Sequence, residues 1–381
     1  MTAGAYSPPQ PSTCSKARLH ELDSLRGVAA LAVVLWHYSR HFHAAPLHGL
    51  LSPFYSAGIY AVDFFFVLSG MVLARAYGVE QRRERFADNV VRRVARLYPL
   101  HFATLLFVAG VQGALVWGFE AHPFIIQDND TWHFVLNLFM AHFIGFQEWA
   151  SFTGPSWSIS TEFWVNVLFF ALLLGTRRIV PLAIGLVAIS FAVVVNTGNG
   201  ALLGDTRLHP FLAVVRTTFG FFVGVLLYQV GFERERLARV PAGFFDVGFV
   251  ASASALLAGS LGWLSVGPRA EMFSVLIGFP ALILCAAKGR WVKAVLRLGP
   301  FVHLGEISYS VYMIHFPLQA VLHLMTVAGW IAPYYGDPLV LGAFILSTLG
   351  LASLSYRFVE LPAQRGINRL WDGRRAAANR H

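Results

Sequence analysis

This 381-residue chain is dominated by a series of apolar runs, each close to the length that a helix needs to cross a membrane. About twenty apolar residues cover the roughly 30 Å of a hydrocarbon core. Backbone N–H and C=O groups find no water in lipid, so a single run that crosses the membrane must satisfy them internally by folding as a helix. The sequence therefore predicts an all-α integral membrane protein, with about ten transmembrane helices in a single bundle. The predicted spans are 23–43, 56–77, 92–117, 157–175, 179–196, 208–230, 242–263, 270–287, 302–325 and 338–358.

Charged residues are scarce, and their positions predict the topology. They make up 13% of the chain, against about 25% in soluble proteins. If the N-terminus is cytoplasmic and the shorter run 131–147 does not cross, 25 of the 29 lysines and arginines lie on the cytoplasmic side. This distribution follows the positive-inside rule. An eleventh crossing at 131–147 would scatter the basic clusters over both faces and is the second choice.

The net charge of +9 is accordingly an orientation signal. In a soluble protein such an excess would suggest a nucleic-acid partner, but here we expect the lipid bilayer as partner and no nucleic acid. We expect a multi-pass protein of the cell (inner or plasma) membrane with both termini cytoplasmic.

Four ionisable side chains lie inside predicted spans at a similar depth. They are His37, Asp63, Glu162 and His315. Each such residue costs at least ~2.5 kcal/mol on insertion scales, so it needs a structural or functional reason. A carboxylate beside an imidazole fixes its tautomer and raises its basicity. The pattern predicts a functional polar cluster, with purely structural ion pairing as the alternative.

Arginines near the cytoplasmic boundary form a second candidate site. Arg26 and His37 are eleven residues apart in the first span, which places them on one helix face about 16 Å apart. Arg93 and Arg96 are spaced i, i+3 and share a face of the third span. Paired guanidinium groups suit a phosphate-bearing ligand, although arginines at this boundary could also serve only as topology markers.

A metal site is not expected. His41, His43 and His48 follow the first span and are interpreted as solvated loop residues. Neither Cys14 nor Cys285 is placed to join them as a ligand. The sequence also contains no nucleophile elbow, no H-E-x-x-H motif and no P-loop.

Six segments, in order, resemble the acyltransferase-3 family of integral membrane O-acyltransferases. They are LDSLRGVAALAVVLWHY, GIYAVDFFFVLSG, RRVARLYP, GPSWSISTEFW, SYSVYMIHFP and YRFVELP. One departure is that Phe163 follows Glu162, where the family pattern has a second acidic residue. The resemblance implies a membrane domain over 22–361, between a cytoplasmic tail at 1–21 and a basic cytoplasmic tail at 362–381.

The resemblance also implies the reaction. It is the transfer of an acyl group, commonly acetyl, from a cytoplasmic acyl-CoA co-substrate to a hydroxyl of a cell-envelope carbohydrate, lipid-linked sugar or secondary metabolite, with no bound cofactor. We expect Arg26, Arg93 and Arg96 to bind the donor phosphates. The expected catalytic residues are His37, as general base, with Asp63 or Glu162 to orient it. The expected acceptor-binding residues are His315 and Trp157.

A transporter or flippase is the alternative function. Intramembrane histidines and carboxylates could relay protons, but this function leaves the paired arginines unexplained. It also predicts paired broken helices, and we find no internal repeat in the sequence.

Overall fold

The computed structural model describes residues 18–77, 86–176, 178–196, 210–232, 235–261 and 272–378. Within them the chain forms helices joined by turns and loops, with no β-strand. This confirms the predicted all-α class. The helices are α1 (His20–Phe42), α2 (His48–Ala57), α3 (Ala61–Tyr77), α4 (Phe86–Gly113), α5 (Thr131–Leu138), α6 (Trp157–Gly175), α7 (Ile179–Asn196), α8 (Pro210–Leu227), α9 (Glu235–Ala238), α10 (Ala242–Ser260), α11 (Phe279–Lys288), α12 (Trp291–Leu296), α13 (Gly299–Glu306), α14 (Ser308–Val327), α15 (Pro338–Ser355) and α16 (Leu361–Ala378).

Eight helical segments of the described residues are long and apolar enough to cross a membrane. They are His48–Tyr77, Phe86–Gly118, Gly154–Gly175, Ile179–Asn196, Phe211–Phe232, Ala242–Ser260, Ser308–Val327 and Pro338–Ala378. The other two predicted spans correspond to α1, which has 23 residues and carries several charges, and to the shorter apolar helix Ser274–Lys288. The chain is a multi-pass membrane protein, and the count of ten stays a prediction.

The run 131–147 does not form a continuous helix. Its only helix is α5, whose eight residues rise about 12 Å, too little to cross the membrane. Asp130 caps this helix by accepting the backbone N–H of His133 at 2.9 Å, and this bond lowers the pKa of the Asp130 carboxyl. Turns follow from Phe139 onward. The geometry favours ten crossings over eleven.

Buried amide side chains hold the non-helical segment between α4 and α6 against the bundle. Gln112 accepts the backbone N–H of Ile125 at 3.0 Å and donates to the carbonyl oxygen of Phe152 at 3.2 Å. Asn137, which is fully buried, donates to Ser151 Oγ at 2.7 Å. Irregular backbone in a membrane protein needs such partners, because lipid offers none.

Glycines bring the helices that carry the polar residues into close contact. A side chain at Gly70 of α3 would collide with the backbone carbonyl of Phe221 in α8, and one at Gly224 of α8 would collide with that of Val67 in α3. Small residues permit this approach of two backbones. The positions of α3 and α8 relative to each other are thereby fixed.

The C-terminal segment continues the last span as a helix. A π-helical turn, Tyr356–Glu360, joins α15 to α16 without interruption. Asp88 of α4 fastens α16, because its carboxylate accepts the indole N–H of Trp371 at 2.8 Å and pairs with Arg375 at 2.6 Å. The region predicted as a tail at 362–381 is therefore helical as far as Ala378.

Candidate active site

The first cavity of the bundle, which we call the basic pocket, collects the three arginines predicted to bind a donor. Its wall contains Arg26 of α1 and Arg93 and Arg96 of α4. Its volume is about 110 Å³, well below the ~300 Å³ at which sites for drug-sized ligands begin. The pocket can admit a narrow chain, whereas a nucleotide would have to stay at its mouth.

The arginines of the basic pocket differ in their partners. Arg26 pairs with Asp23 of its own helix at 3.1 Å. Arg96 pairs with Glu360, which is 1% exposed. Arg93 has no ion pair within the described part of the chain. Arg93 thus contributes a positive charge that no described carboxylate neutralises by direct contact.

Glu162 lies in the basic pocket and not beside His37. It is in the wall of that pocket, and Ser69 of α3 donates a hydrogen bond to its carboxylate at 2.7 Å. The cause is the rotation of α6, which directs the side chain at 162 toward α3 and the arginines. The sequence prediction that Glu162 orients His37 finds no contact to support it among the described residues.

The second cavity, which we call the histidine pocket, contains His37. Its volume is about 450 Å³, and its wall includes Trp36, Trp149 and Trp157. This size lies within the usual range for small-molecule sites, about 300–1,000 Å³. Trp157, predicted to bind the acceptor, is part of this wall.

His37 and His315 form a pair whose hydrogen bonds determine the tautomer of each ring. Val311 O lies 3.2 Å from Nδ1 of His315, and a carbonyl oxygen can only accept, so this nitrogen carries the proton. Nε2 of His315 is then an acceptor, and it lies 3.3 Å from Nδ1 of His37. Nδ1 of His37 also lies 3.1 Å from Val33 O and donates to both. Nε2 of His37 is therefore the unprotonated nitrogen.

His315 contacts His37 but does not line the histidine pocket. It is fully buried, and the wall of the histidine pocket contains His37 but not His315. The predicted approach of the two residues is present in the structure. Its geometry favours a contact of His315 with the base over the contact with the acceptor that the sequence suggested.

Asp63 is paired with Arg216, an arginine that is not among the predicted site residues. Its two carboxylate oxygens accept from Nε and Nη2 of Arg216 of α8, each at 2.7 Å. Both side chains are at least 96% buried, and the guanidinium lies 5.3 Å from the centre of the Trp157 ring. This bidentate pair directs the carboxylate toward α8, and the expected contact of Asp63 with His37 is not formed among the described residues.

His41 corrects another expectation. It was interpreted as a solvated loop residue, but α1 continues to Phe42 and keeps it on the helix face of His37. Its ring stacks on that of His37, with 5.7 Å between the ring centres and 8° between the ring planes. The signal available in the sequence was the i, i+4 spacing of the two histidines. The sequence signal for Arg216, described above with Asp63, was that it is the single positively charged residue within the run 208–230.

A wall of polar and aromatic side chains separates the two cavities. Tyr312 belongs to the basic pocket, and its hydroxyl contacts Ser158 Oγ at 2.7 Å and the carbonyl oxygen of Pro155 at 2.8 Å. Pro155 and Trp157 are on the other side, in the histidine pocket. The described residues thus form one cavity lined by arginines and one that contains His37, with this wall between them.

A family model described as an acyltransferase domain (Acyl_transf_3) matches residues 19–357. The chain belongs to the acyltransferase-3 family. Membership decides between the two functions left open by the sequence, in favour of an O-acyltransferase over a transporter. Relatives named as an acyltransferase and an O-acetyltransferase support the same class of enzyme.

Three relatives illustrate the family. Acyltransferase MdmB of Streptomyces mycarofaciens is 27% identical over 92% of this chain and 93% of its own length. The putative membrane-bound transacylase BcsY of Komagataeibacter xylinus is 26% identical over 91% of this chain and 83% of its own length. O-acetyltransferase OatA of Staphylococcus aureus (strain NCTC 8325 / PS 47) is 22% identical over 90% of this chain and 57% of its own length. No solved structure matches the chain.

Proposed function

We propose that this acyltransferase moves an acyl group, acetyl in the first instance, from a cytoplasmic acyl-CoA to a hydroxyl group. The acceptor would be a cell-envelope carbohydrate, a lipid-linked sugar or a secondary metabolite. The observation that carries the proposal is that α1 connects an arginine-lined pocket to a pocket containing a base, with Arg26 and His37 about 16 Å apart by helical rise. Acetyl is favoured because one relative is named an O-acetyltransferase.

The donor would bind through the basic pocket. Its phosphate groups would contact Arg93, Arg26 and Arg96 at the mouth, since guanidinium groups bind phosphate through paired N–H donors. The narrow arm that carries the thioester would extend through the pocket toward Tyr312. The wall between the two cavities would have to open beside Tyr312 for the thioester to reach His37. This requires the basic end of the bundle to face the cytoplasm, as the distribution of cations predicts.

The acceptor hydroxyl would be activated in the histidine pocket. Nε2 of His37 takes the hydroxyl proton while the oxygen attacks the thioester carbonyl carbon. The carbon–sulfur bond breaks, and the departing thiolate takes the proton from His37, which gives an ester and free CoA thiol. His315 and the carbonyl oxygen of Val33 stabilise the protonated ring by accepting from its Nδ1–H.

Asp63 and Glu162 would have roles other than the expected one of orienting His37. Asp63 would fix Arg216 against the wall of the acceptor pocket, since both oxygens bind that guanidinium. Glu162, beside the arginines, would accept a hydrogen bond from an amide of the donor's arm. Trp157 would bind the acceptor, because an aromatic face packs well against the apolar face of a sugar ring.

The test is thioester consumption by membranes of the source cells that contain the protein. Free thiol released from acetyl-CoA is measured for the wild type, His37→Ala and the control His48→Ala, which changes an exposed histidine of α2. General-base catalysis contributes about 10²–10⁴-fold, so His37→Ala should lose at least 100-fold and His48→Ala should lose nothing. Wild-type activity in His37→Ala would refute the assignment of the base.

The acceptor class is tested separately. Envelope glycans and lipid-linked sugars from wild-type and deletion cells are compared by mass spectrometry. We expect one ester, with the mass of an acetyl group, to disappear in the deletion strain. Identical ester profiles in both fractions would exclude these two acceptor classes and leave a secondary metabolite.

A further inference from the structure

Glu360 is a buried carboxylate that pairs with an arginine of the basic pocket. It ends the π-helical turn between α15 and α16 and is 1% exposed. One oxygen pairs with Arg96, and the other accepts the hydroxyl of Ser310 at 2.7 Å. A charge buried this deeply needs a partner and a reason.

The geometry makes Glu360 a support for Arg96 and not a wall of the cavity. Arg96 lines the basic pocket, whereas Glu360 does not. A second contact restrains the same guanidinium, because it lies 5.9 Å from the centre of the Tyr309 ring. Tyr309 is itself fixed, since its hydroxyl donates to Leu97 O at 2.6 Å. Arg96 is thus restrained from two sides before any donor binds.

We propose that Glu360 is a positioning residue for donor binding, which holds the guanidinium of Arg96 in the orientation that receives a donor phosphate. The proposal rests on the proposed function of the basic pocket. A long arginine side chain loses considerable rotational freedom when it binds. A carboxylate that orders it beforehand removes that cost from the binding step.

The direction in which a substitution that removes the charge of Glu360 changes donor affinity separates positioning from charge compensation. Glu360→Gln removes a negative charge near an anionic ligand, and by Coulomb attraction alone it should strengthen donor binding. If Glu360 positions Arg96, the same substitution weakens binding. The donor contact is made before the chemical step, so KM for the donor should rise while kcat is kept.

Coenzyme A itself is the probe. Its dissociation constant is measured by calorimetry for the full-length protein in lipid nanodiscs, as wild type, Glu360→Gln, Arg96→Gln and the double variant. We expect about tenfold weaker binding for Glu360→Gln, the size of one hydrogen bond to a charged group. The double variant should bind like Arg96→Gln, because Glu360 acts only through Arg96.

The matched control is Asp88→Asn. It removes the charge of another buried carboxylate that joins α4 to the C-terminal helix, but Asp88 is outside the wall of the basic pocket. Coenzyme A should bind this variant as it binds the wild type. Equal losses in Asp88→Asn and Glu360→Gln would overturn the proposal and indicate a general role in helix packing.

Three further outcomes are distinguishable. Unchanged or tighter binding by Glu360→Gln, with normal wild-type binding, overturns the positioning role and leaves the donor site intact. Failure of the wild-type protein to bind coenzyme A overturns the proposed donor, and this inference with it. If the losses of coenzyme A affinity in the two single variants multiply in the double variant, Glu360 acts independently of Arg96 and the positioning role is overturned.

Discussion

At the scale of single residues, the main feature is that the candidate base is oriented by a histidine. The ring of His37 donates from Nδ1 to Val33 O and toward Nε2 of His315. A carboxylate in the place of His315 would raise the basicity of His37 more strongly. A neutral histidine fixes the same tautomer without a further negative charge in the bundle.

His315→Leu should lower kcat about tenfold, because the remaining contact with Val33 O only partly preserves the tautomer of His37. His315→Gln offers an amide oxygen to the same Nδ1–H and should retain most of the activity. Steady-state kinetics with varied acceptor provides the check. A rise in the acceptor KM with unchanged kcat would instead support the acceptor-binding role predicted from the sequence.

The buried pair of Asp63 and Arg216 should affect the thermal stability of the protein. Removing one member of a buried ion pair costs about 3–5 kcal/mol, whereas replacing both by apolar residues is often neutral. Asp63→Asn should therefore lower the thermal midpoint of the detergent-solubilised protein, and Asp63→Leu with Arg216→Met should recover it. Tryptophan fluorescence on heating measures both. A double variant no more stable than Asp63→Asn would contradict this account.

At the scale of helices, close backbone contacts determine which polar residues meet. Gly27 of α1 lies against Leu304 of α13, and Gly305 of α13 lies against Asp23. These contacts fix the end of α1 that carries Arg26. The contact of α3 with α8 through Gly70 and Gly224 likewise fixes the positions of Asp63 and Arg216.

Gly70→Ala should destabilise the bundle by about 1–3 kcal/mol, because its new methyl group meets the carbonyl of Phe221 and the two helices must separate. The control is Gly110→Ala in α4, where a Cβ meets nothing within 4 Å. Thermal denaturation of the two variants in the same detergent gives the comparison. Equal midpoints would mean that α3 and α8 can move apart without cost.

At the scale of the whole molecule, the predicted topology assigns each pocket to one side of the membrane. The prediction of both termini in the cytoplasm places the basic pocket toward the acyl-CoA pool. It places the segment between α4 and α6 on the opposite side, where it contributes Trp149 to the histidine pocket. Donor and acceptor would then approach from opposite faces.

Cysteine labelling tests this topology. In a chain with Cys14 and Cys285 replaced by serine, Glu148→Cys and Arg374→Cys each place a thiol at an exposed position. A membrane-impermeant maleimide should label Glu148→Cys in intact cells and Arg374→Cys only after permeabilisation. Labelling of Arg374→Cys in intact cells would reverse the orientation and remove the donor pocket from the cytoplasm.

The sequence by itself determined the class of fold, the approximate helices and the stripe of Arg26 and His37, because hydropathy and helical periodicity are local properties. It could not assign the carboxylates. Asp63 meets Arg216 across 153 positions of the chain, and Ser69 meets Glu162 across 93. Such pairs depend on how each helix is rotated and how closely its glycines let it approach a neighbour. Only the tertiary structure therefore decided that His37 is paired with His315 and that Glu360 supports Arg96.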